Sequence, residues 1–527
     1  MKNRSIILCL MLCVSIFNSL YCQQVYFSNR YNLCQDYSPQ AQSTSKDILQ
    51  IEDGYIVAGF TIDTNTYSWR QIPIIKINLD GEQIMYRSYG DTIADYYTGF
   101  AGFMKKAITN DVYYIAGSKN YWQPVNYDVG YLMKINGQLD TLWTKEYNLN
   151  EDGNRETSIF FNSIELCNND DLILSGTMNG AYMFLMRTDS SGNTKWYKNF
   201  HFGGNTLCTG YSAIQTTDGG FALGGFRYTI GQEETGNPVI VKTDSVGNQQ
   251  WVKYMGGPLL DQAAFLKNSS DGNIIMGSVY GDEMVGHNAR SRINIAKLDN
   301  EGNVLWDKKY GRTVYNNNLQ NLKVLSDGSI IACGYNAGYY SSEMGWIIKV
   351  DENGDSLWYR EYAFLNGTSS INRLRGVIET SENGIAACGQ IIPMPPDTGI
   401  REAWVLKLDS IGCEFAGCDS TVEIIEHGGM GAWRHGSMEI WPNPAHDLIT
   451  FTLPDIVADG EVELVVYDVF GREMETGRQG DKETGRLGDK LVNRVISLDV
   501  SGFAPGMYIA VVIDMKGRRY TGKIVVH

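Results

Sequence analysis

One pattern constrains this chain more than any other. An Asp or Asn, a Gly or polar residue, three or four apolar residues and a closing Gly recur together along most of its length. Seven copies are present. The first is Asp53-Gly54-Tyr55-Ile56-Val57-Ala58-Gly59, the last is Asn383-Gly384-Ile385-Ala386-Ala387-Cys388-Gly389, and those between end at Gly117, Gly176, Gly225, Gly277 and Gly334. The step averages about 55 residues, the size of a supersecondary unit that must bury its apolar face against its neighbours. Between these segments runs a second motif of apolar residues, Lys, apolar, Asp, two residues, Gly, three residues and Trp, as from Lys297 through Asp299 and Gly302 to Trp306. Trp143, Trp196, Trp251 and Trp358 hold the same place, and Met85 substitutes in the first copy.

Each motif reads as a turn beside a strand. Asp and Asn begin turns because their side chains bond to the backbone ahead, and Gly supplies the positive φ such turns need. One unit then decodes as Ala213 to Thr216, a turn at Asp218-Gly219-Gly220, Phe221 to Gly225, a loop, Val239 to Lys242, a turn from Asp244 to Gly247, and Gln250 to Tyr254. Four strands per unit, repeated seven times, is the arithmetic of a seven-bladed β-propeller. The seventh copy has Trp404 to Asp409 and the turn Gly412 but no outer strand after them, whereas Val25 to Tyr31 matches an outer strand with no unit before it. The N-terminal strand is therefore expected to complete the last blade and close the ring. The 57 Gly against 12 Pro fit a chain of tight turns and exclude a long helical protein.

Units of this form resemble the tryptophan-docked blades of the quinoprotein-like propellers, where an Asp, a turn Gly and a Trp recur with Gly and Trp four apart. The resemblance covers the repeats and implies their fold and blade-to-blade packing. Here the Asp-to-Gly turn is one residue shorter, and the adjacent cysteines tied to quinone binding in that family are missing, so no cofactor is expected.

Met1 to Cys22 carries Lys2 and Arg4, an apolar run from Ile6 to Phe17 and a polar break before Gln23, the plan of a signal peptide. Its apolar core falls well short of the roughly 20 residues a membrane-spanning helix needs. Tyr21, where acylation wants a small residue, argues against lipidation at Cys22. With Cys9, Cys13 and Cys22 removed, seven of the ten cysteines enter an oxidising compartment, an odd number that leaves at least one thiol free or bonded to another chain. Cys413 and Cys418 are the expected disulfide; Cys333 and Cys388, each before a repeat Gly, read as buried packing residues. Metal-ligand spacing is absent, and His427, His435 and His446 have no partners at such spacing, so no metal is expected. The 60 acidic against 44 basic residues give a net charge of -16, which argues against nucleic acid or an anionic membrane surface as partner.

The pattern changes at Ser437. Ile440-Trp441-Pro442-Asn443-Pro444-Ala445 is followed by alternating apolar runs at Leu448 to Leu453 and Glu461 to Asp468, then Phe470-Gly471-Arg472, Ile496 to Leu498, Gly506-Met507-Tyr508 and Gly522-Lys523-Ile524-Val525-Val526. Alternation with turn signals predicts a small immunoglobulin-like β-sandwich. The Pro442-Asn443-Pro444-Ala445 opening, the element from Tyr467 to Gly471 and Arg472, the Gly506-Met507-Tyr508 element and the terminal run from Lys523 closely resemble the C-terminal sorting domain of proteins exported by the type IX (Por) secretion system of Gram-negative bacteria. The resemblance spans 437–527. It implies engagement of the type IX machinery, export through the periplasm to the outer-membrane surface or beyond, and removal of the domain by a cell-surface peptidase. Glu475 to Lys482 and Glu483 to Lys490 are near-identical polar copies, expected as a loop. The chain is thus expected to be all-β: a signal peptide at 1–22, a seven-bladed β-propeller at 23–418, a linker at 419–436 and a sorting sandwich at 437–527.

In a four-strand blade the tight Asp-Gly turns share one face, so the long loops gather on the other, where rigid scaffolds carry binding residues. Those loops hold Tyr67, Trp69, Tyr96, Tyr97, Tyr121, Trp122, Tyr127, Tyr228, Tyr280, Tyr339 and Tyr340. Tyr and Trp offer a flat apolar face and a polar tip, suited to stacking on sugars or peptides; equally, Tyr is abundant here, at 32 residues. Two functions follow, a secreted or surface-displayed module recognising glycan or protein, or an extracellular glycan-processing enzyme. The latter needs two carboxylates at a set separation, for which Asp95, Glu233, Glu234, Asp282 and Glu283 are candidates.

Overall fold

The computed structural model describes residues 26–36, 41–62, 70–100, 102–108, 111–121, 127–149, 157–257, 259–285, 288–311, 316–337, 342–365, 369–395, 398–414, 439–441, 448–452, 461–468, 487–490, 495–504, 506–514 and 519–526. The chain forms two compact units, 1–412 and 413–527.

The first unit is a β-propeller of antiparallel meanders. Residues 42–89, 94–147, 159–200 and 206–254 form separate sheets, while the strands from 265 to 408, with Phe27–Tyr31, join in one twelve-stranded sheet. Five sheets therefore stand where the repeats predict seven separate blades. The difference lies at two seams, where single residue pairs bond in parallel, Ser291 with Asn316 and Glu343 with Ile371. The same side chain ties each seam: Asn317 Nδ2 donates to the Ser291 carbonyl at 2.6 Å and Asn372 Nδ2 to the Glu343 carbonyl at 3.2 Å. A seam made by one residue pair depends on tertiary approach and leaves no periodic mark in the sequence.

Phe27–Tyr31 pairs antiparallel with Glu402–Leu408, Phe27 opposite Lys407 and Tyr31 opposite Ala403. Gln42–Ile51 packs on Ile371–Glu379 and Ile385–Ile392, and Ser45 Oγ donates to the Gly389 carbonyl at 2.6 Å. The first and last meanders thus meet.

The two repeat motifs explain how neighbouring meanders hold together. In the turn before the outer strand, Asp244 Oδ1 accepts from the backbone N–H of Val246 at 3.0 Å and of Asn248 at 2.8 Å, and Gly247 adopts a φ of 83°. Asp189, Asp299 and Asp351 repeat the device. The outer strand of the preceding meander lies directly on that Gly. A Cβ added to Gly192, Gly247, Gly302, Gly354 or Gly412 would fall 2.8–3.3 Å from the ring of Trp143, Trp196, Trp251, Trp306 or Trp358 respectively. Four residues along the same strand face, a hydroxyl completes the contact: Tyr147 donates to the Gly192 carbonyl at 2.7 Å, Tyr310 to Gly354 at 2.6 Å and Tyr362 to Gly412 at 2.8 Å. The closing strand uses Phe27 and Tyr31 in the same way on Gly81, the hydroxyl bond being 2.6 Å. The repeat Lys reaches back to the first turn, Lys242 to Asp218 and Lys297 to Asp271 at 2.7 Å, and Lys349 to Asp327 at 3.1 Å. The residues that define the repeat are therefore spent on the scaffold.

In the second unit, Glu439–Trp441, Leu448–Thr452 and Val495–Asp499 form one sheet, and Glu461–Asp468, Leu487–Lys490, Gly506–Asp514 and Arg519–Val526 form another. Ile449, Phe451 and Leu498 from the first bury against Leu464, Val466, Ala510 and Ile524 from the second. Gly506 and Tyr508 lie at the start of Gly506–Asp514 and Lys523 on Arg519–Val526, whereas Pro442, Asn443, Pro444, Gly471 and Arg472 lie outside the described residues, as do 1–22 and the linker at 419–436. Cys413 is disulfide-bonded, and its expected partner Cys418 also lies outside them. Cys34 is buried, and Cys167, Cys208, Cys333 and Cys388 are buried free thiols.

Two glycines separate strain from docking. Gly354 and Gly219 both hold positive φ, 79° and 81°, but only Gly354 has a Trp ring against it. Gly219→Ala should cost about 1 kcal/mol from backbone strain alone, and Gly354→Ala about 2–3 kcal/mol because Trp306 must also move; the urea midpoints of the two variants check this.

Candidate functional site

The innermost strand of each meander faces the central channel. In five of them one extra residue interrupts the pairing just where the second strand carries its repeat Gly, and these residues are Lys46, Asn162, Tyr211, Gln320 and Arg375. A bulge frees its residue from the ladder and re-aims its side chain. Contacts that skip a meander show that these strands meet around a channel. Phe100, from 94–147, sets its ring 5.0 Å from Tyr211 and 5.9 Å from Phe265, which belong to 206–254 and 265–310. Lys267 reaches Glu165 at 3.0 Å across the same gap.

The mouth of the channel is cationic. Arg375 donates to Gln320 Oε1 at 3.0 Å and Gln390 Oε1 at 3.3 Å, so its described bonds go to neutral amides. Burial, with Arg373 and Arg401 nearby, pulls its guanidinium down to about 10. Lys46 donates to the Gly99 carbonyl at 3.2 Å, and burial with Arg375 and Arg70 close by lowers it to about 7. Sequence reasoning missed these residues. Their signal was a polar or charged residue about six positions ahead of the repeat's first turn in successive units, in strands otherwise read for apolar content.

Of the residues expected on the loop face, the structure brings Tyr96, Tyr121 and Tyr127 together on one face of the 94–147 sheet, while Tyr97 stands on the opposite face of its strand. Tyr121 stacks on Tyr127 with centroids 5.1 Å apart, and Lys119 lies 4.9 Å from the Tyr121 ring and 4.8 Å from Tyr96. Lys119, almost wholly buried, is paired with Glu146 at 2.7 Å and Asp91 at 3.2 Å. Burial opposes its charge, but the bonds to Glu146, Tyr121 and Tyr96 outweigh it and hold its pKa above the usual lysine range. Tyr97 lies under the Arg70 guanidinium at 4.9 Å. Tyr96 itself is buried and donates to Asp91 at 2.7 Å, so its ring serves as support. Tyr228 packs beside Phe226, and Tyr280 lies 3.6 Å from Lys309 Nζ, on other sheets. Tyr67, Trp69, Trp122, Tyr339 and Tyr340 lie outside the described residues.

Two of the carboxylates proposed from sequence are already engaged. Asp95 is buried and accepts from Arg70 N at 2.7 Å, and Asp282 pairs with Arg292 at 2.8 Å. Glu233 and Glu234 lie on Gln232–Thr243 and Glu283 on Ile274–Val285. Among the described residues no group of three or more His, Cys, Asp or Glu is placed to hold a metal ion.

One loop-face carboxylate not foreseen from the sequence is Asp261, which accepts from Gly257 N and Gly281 N at 2.8 Å each and so ties the approach to 265–310. Burial raises it to about 6 despite those two bonds. Its protonated form is favoured by folding, so the stabilisation is complete below about pH 4 and lost as pH rises through about 6. Asp261→Asn should remove that part of the pH dependence, and thermal melts between pH 4 and 7 would show whether it does.

No curated protein matches the sequence. Solved structures with some likeness include a protein of unknown function from Dyadobacter fermentans (8% identity, TM-score 0.41, 73% of this chain and 99% of that one). Others are the β-propeller domain of the Trilobed protease from Pyrococcus furiosus (11%, 0.39, 69% and 95%) and an ulvan lyase of a polysaccharide lyase family (8%, 0.43, 72% and 97%). Likenesses this weak say nothing of function. The specific match is at the other end: residues 439–527 match the secretion system C-terminal sorting domain. Among the described residues no helix is long and apolar enough to cross a membrane. The chain thus joins a β-propeller to a sorting domain of the type IX (Por) secretion system, which implies export to the cell surface or the extracellular space.

Proposed function

We propose that this is a type IX cargo whose propeller recognises a glycan or protein ligand through its long-loop face. On this reading 1–22 is a signal peptide, 437–527 is an immunoglobulin-like sandwich engaged by the secretion machinery and cut off by a cell-surface peptidase, and 23–418 is the part that works outside the cell. We read the propeller as seven-bladed, each four-strand meander being one blade and the two single-pair seams joining blades that keep their own turns. The observation that carries binding is the cluster on 94–147. Tyr121, over a buried, doubly paired Lys119, stacks on Tyr127, and Tyr97, on the other face of the sheet, is held by Arg70. Aromatic faces fixed in advance lose little entropy on stacking with a ligand.

A second reading, glycan processing, has one observation in its favour. In the channel, burial pushes Asp47 up, whereas Lys105 and Lys267 overcome burial and hold Glu165 well below the usual carboxylate range. Carboxylates driven apart in this way are the pattern of a general acid and its partner. Against it, Asp47 accepts backbone N–H groups of Ile48 at 3.1 Å and Met104 at 2.9 Å, a structural duty.

The mature protein, applied to glycan and protein arrays beside a Tyr97→Ala, Tyr127→Ala double variant, should bind saturably and lose at least about tenfold in affinity in the variant. Equal binding by the folded variant would overturn the loop-face reading, and turnover of a bound glycan that Asp47→Asn abolishes would replace it with the enzyme. Export is tested separately: a chain ending at residue 436 should stay in the periplasm, seen by immunoblot of fractionated cells.

A further inference from the structure

The cations at the channel mouth gather where the last meander meets the first. Arg375 is the bulge residue of Ile371–Glu379 and Lys46 that of Gln42–Ile51. Their backbones touch, since a Cβ added to Gly376 would fall 3.1 Å from the Lys46 carbonyl oxygen. Gln390 joins the same two strands, its Oε1 accepting from Thr44 Oγ1 at 3.0 Å and from Arg375 Nε at 3.3 Å. Arg373 pairs with Gln390 across the ladder. Arg401 stands at the same end of the meander, where its carbonyl accepts from Ser43 N at 3.1 Å.

Among the described residues, acids do not answer these charges. Glu343 is taken by Arg373, with Nη2 at 2.8 Å. Glu402, next to Arg401, is held by Arg30, and Asp47, next to Lys46, accepts from the backbone N–H groups of Ile48 and Met104. Lys46 has a backbone carbonyl and the Phe60 ring, 4.9 Å from its Nζ. Arg401 forms no ion pair, and its Nε is buried without a hydrogen-bond partner. Arg375 is held most firmly. Gln320 and Gln390, 6% and 2% exposed, each turn an amide oxygen to it, at Nη1 and Nε. These bonds fix the plane of the guanidinium but leave its charge, and the edge carrying Nη2 stays unspent among the described residues. A buried N–H left unbonded is rare, and a guanidinium fixed in orientation is suited to receive a planar or tetrahedral anion edge-on. The site is an open mouth, so an incoming group needs no internal void: Lys46, Arg375 and Arg401 are half-buried, as are Phe60 and Tyr335, which follow the repeat glycines Gly59 and Gly334.

We infer that the channel mouth receives an acidic glycan, one carboxylate or sulfate of which lies against the free edge of the Arg375 guanidinium. Lys46 and Arg401 add charge around that group, and the sugar stands outward toward the loops. The inference rests on the glycan reading of the loop face and names its ligand class. A free anion would satisfy the same contact, and the experiment separates the two sources.

Titration calorimetry and thermal melts of the mature protein with tetragalacturonate, neutral maltotetraose and sulfate, at constant ionic strength, test this. Tetragalacturonate should bind saturably and raise the melting temperature, maltotetraose should do neither, and sulfate should compete. Arg375→Gln should lose at least about tenfold in affinity. Arg401→Gln, which breaks no described side-chain bond, should lose severalfold while melting no lower than the parent, and it decides the matter should Arg375→Gln not fold. Saturable binding of sulfate without tetragalacturonate would overturn the glycan and identify a free ion. Equal binding of maltotetraose, binding by neither acidic probe, or a folded Arg375→Gln variant with parental affinity would overturn the site. None of these outcomes touches array binding that the Tyr97→Ala, Tyr127→Ala variant loses. A blank array with sulfate binding intact would instead sink the loop-face reading alone.

Discussion

The contact between an outer-strand aromatic and the bare glycine of the next meander's turn governs the rest of this structure. Trp306 against Gly354 shows its logic: the Asp351 cap shapes the turn, the positive φ demands Gly, the missing Cβ admits the indole, and Tyr310 closes the contact with a hydroxyl bond to the same residue. Each part depends on the others, which is why Asp, Gly and Trp keep their spacing from unit to unit, with Tyr four residues after Trp143, Trp306 and Trp358. It also explains why these residues carry little information about function. A scaffold that uses its most recognisable residues for docking leaves function to those that differ between repeats.

Those differing residues lie in two places. On the loop face, Tyr96 and Tyr121 of 94–147 are organised by one buried lysine and its two acids. In the channel, Lys46 and Arg375 stand at the mouth, and Lys105 and Lys267 pair with Glu165 deeper in. Net charge governs long-range encounter, while a narrow channel with low-dielectric walls focuses its own local field.

The strands and turns were legible because turn chemistry is local. Asp244 and Gly247 announce their hairpin whatever surrounds them, and the orphan strand at Val25 to Tyr31 could be matched with the unit lacking one. The sheet count was not legible, because Asn317 and Asn372 join meanders through backbone carbonyls that are distant in sequence. The channel was hidden for a related reason: Glu165 and Lys267 are single charged residues in mostly apolar strands, and only ring geometry brings them face to face. At the loop face, Tyr96 was indistinguishable from Tyr97 by residue type, yet one is buried support and the other lies beneath an arginine.

The strand Phe27–Tyr31 gives this propeller a built-in order of assembly. Arg30 meets Glu402 across 372 positions of chain, so closing the ring is among the most non-local events in folding, and such contacts form late because the entropy of the long intervening loop must be lost first. Until Glu402–Leu408 is available, the edge of Phe27–Tyr31 is unpaired. A chain interrupted before that point cannot complete its ring, and would present to proteases an open edge that the finished molecule conceals.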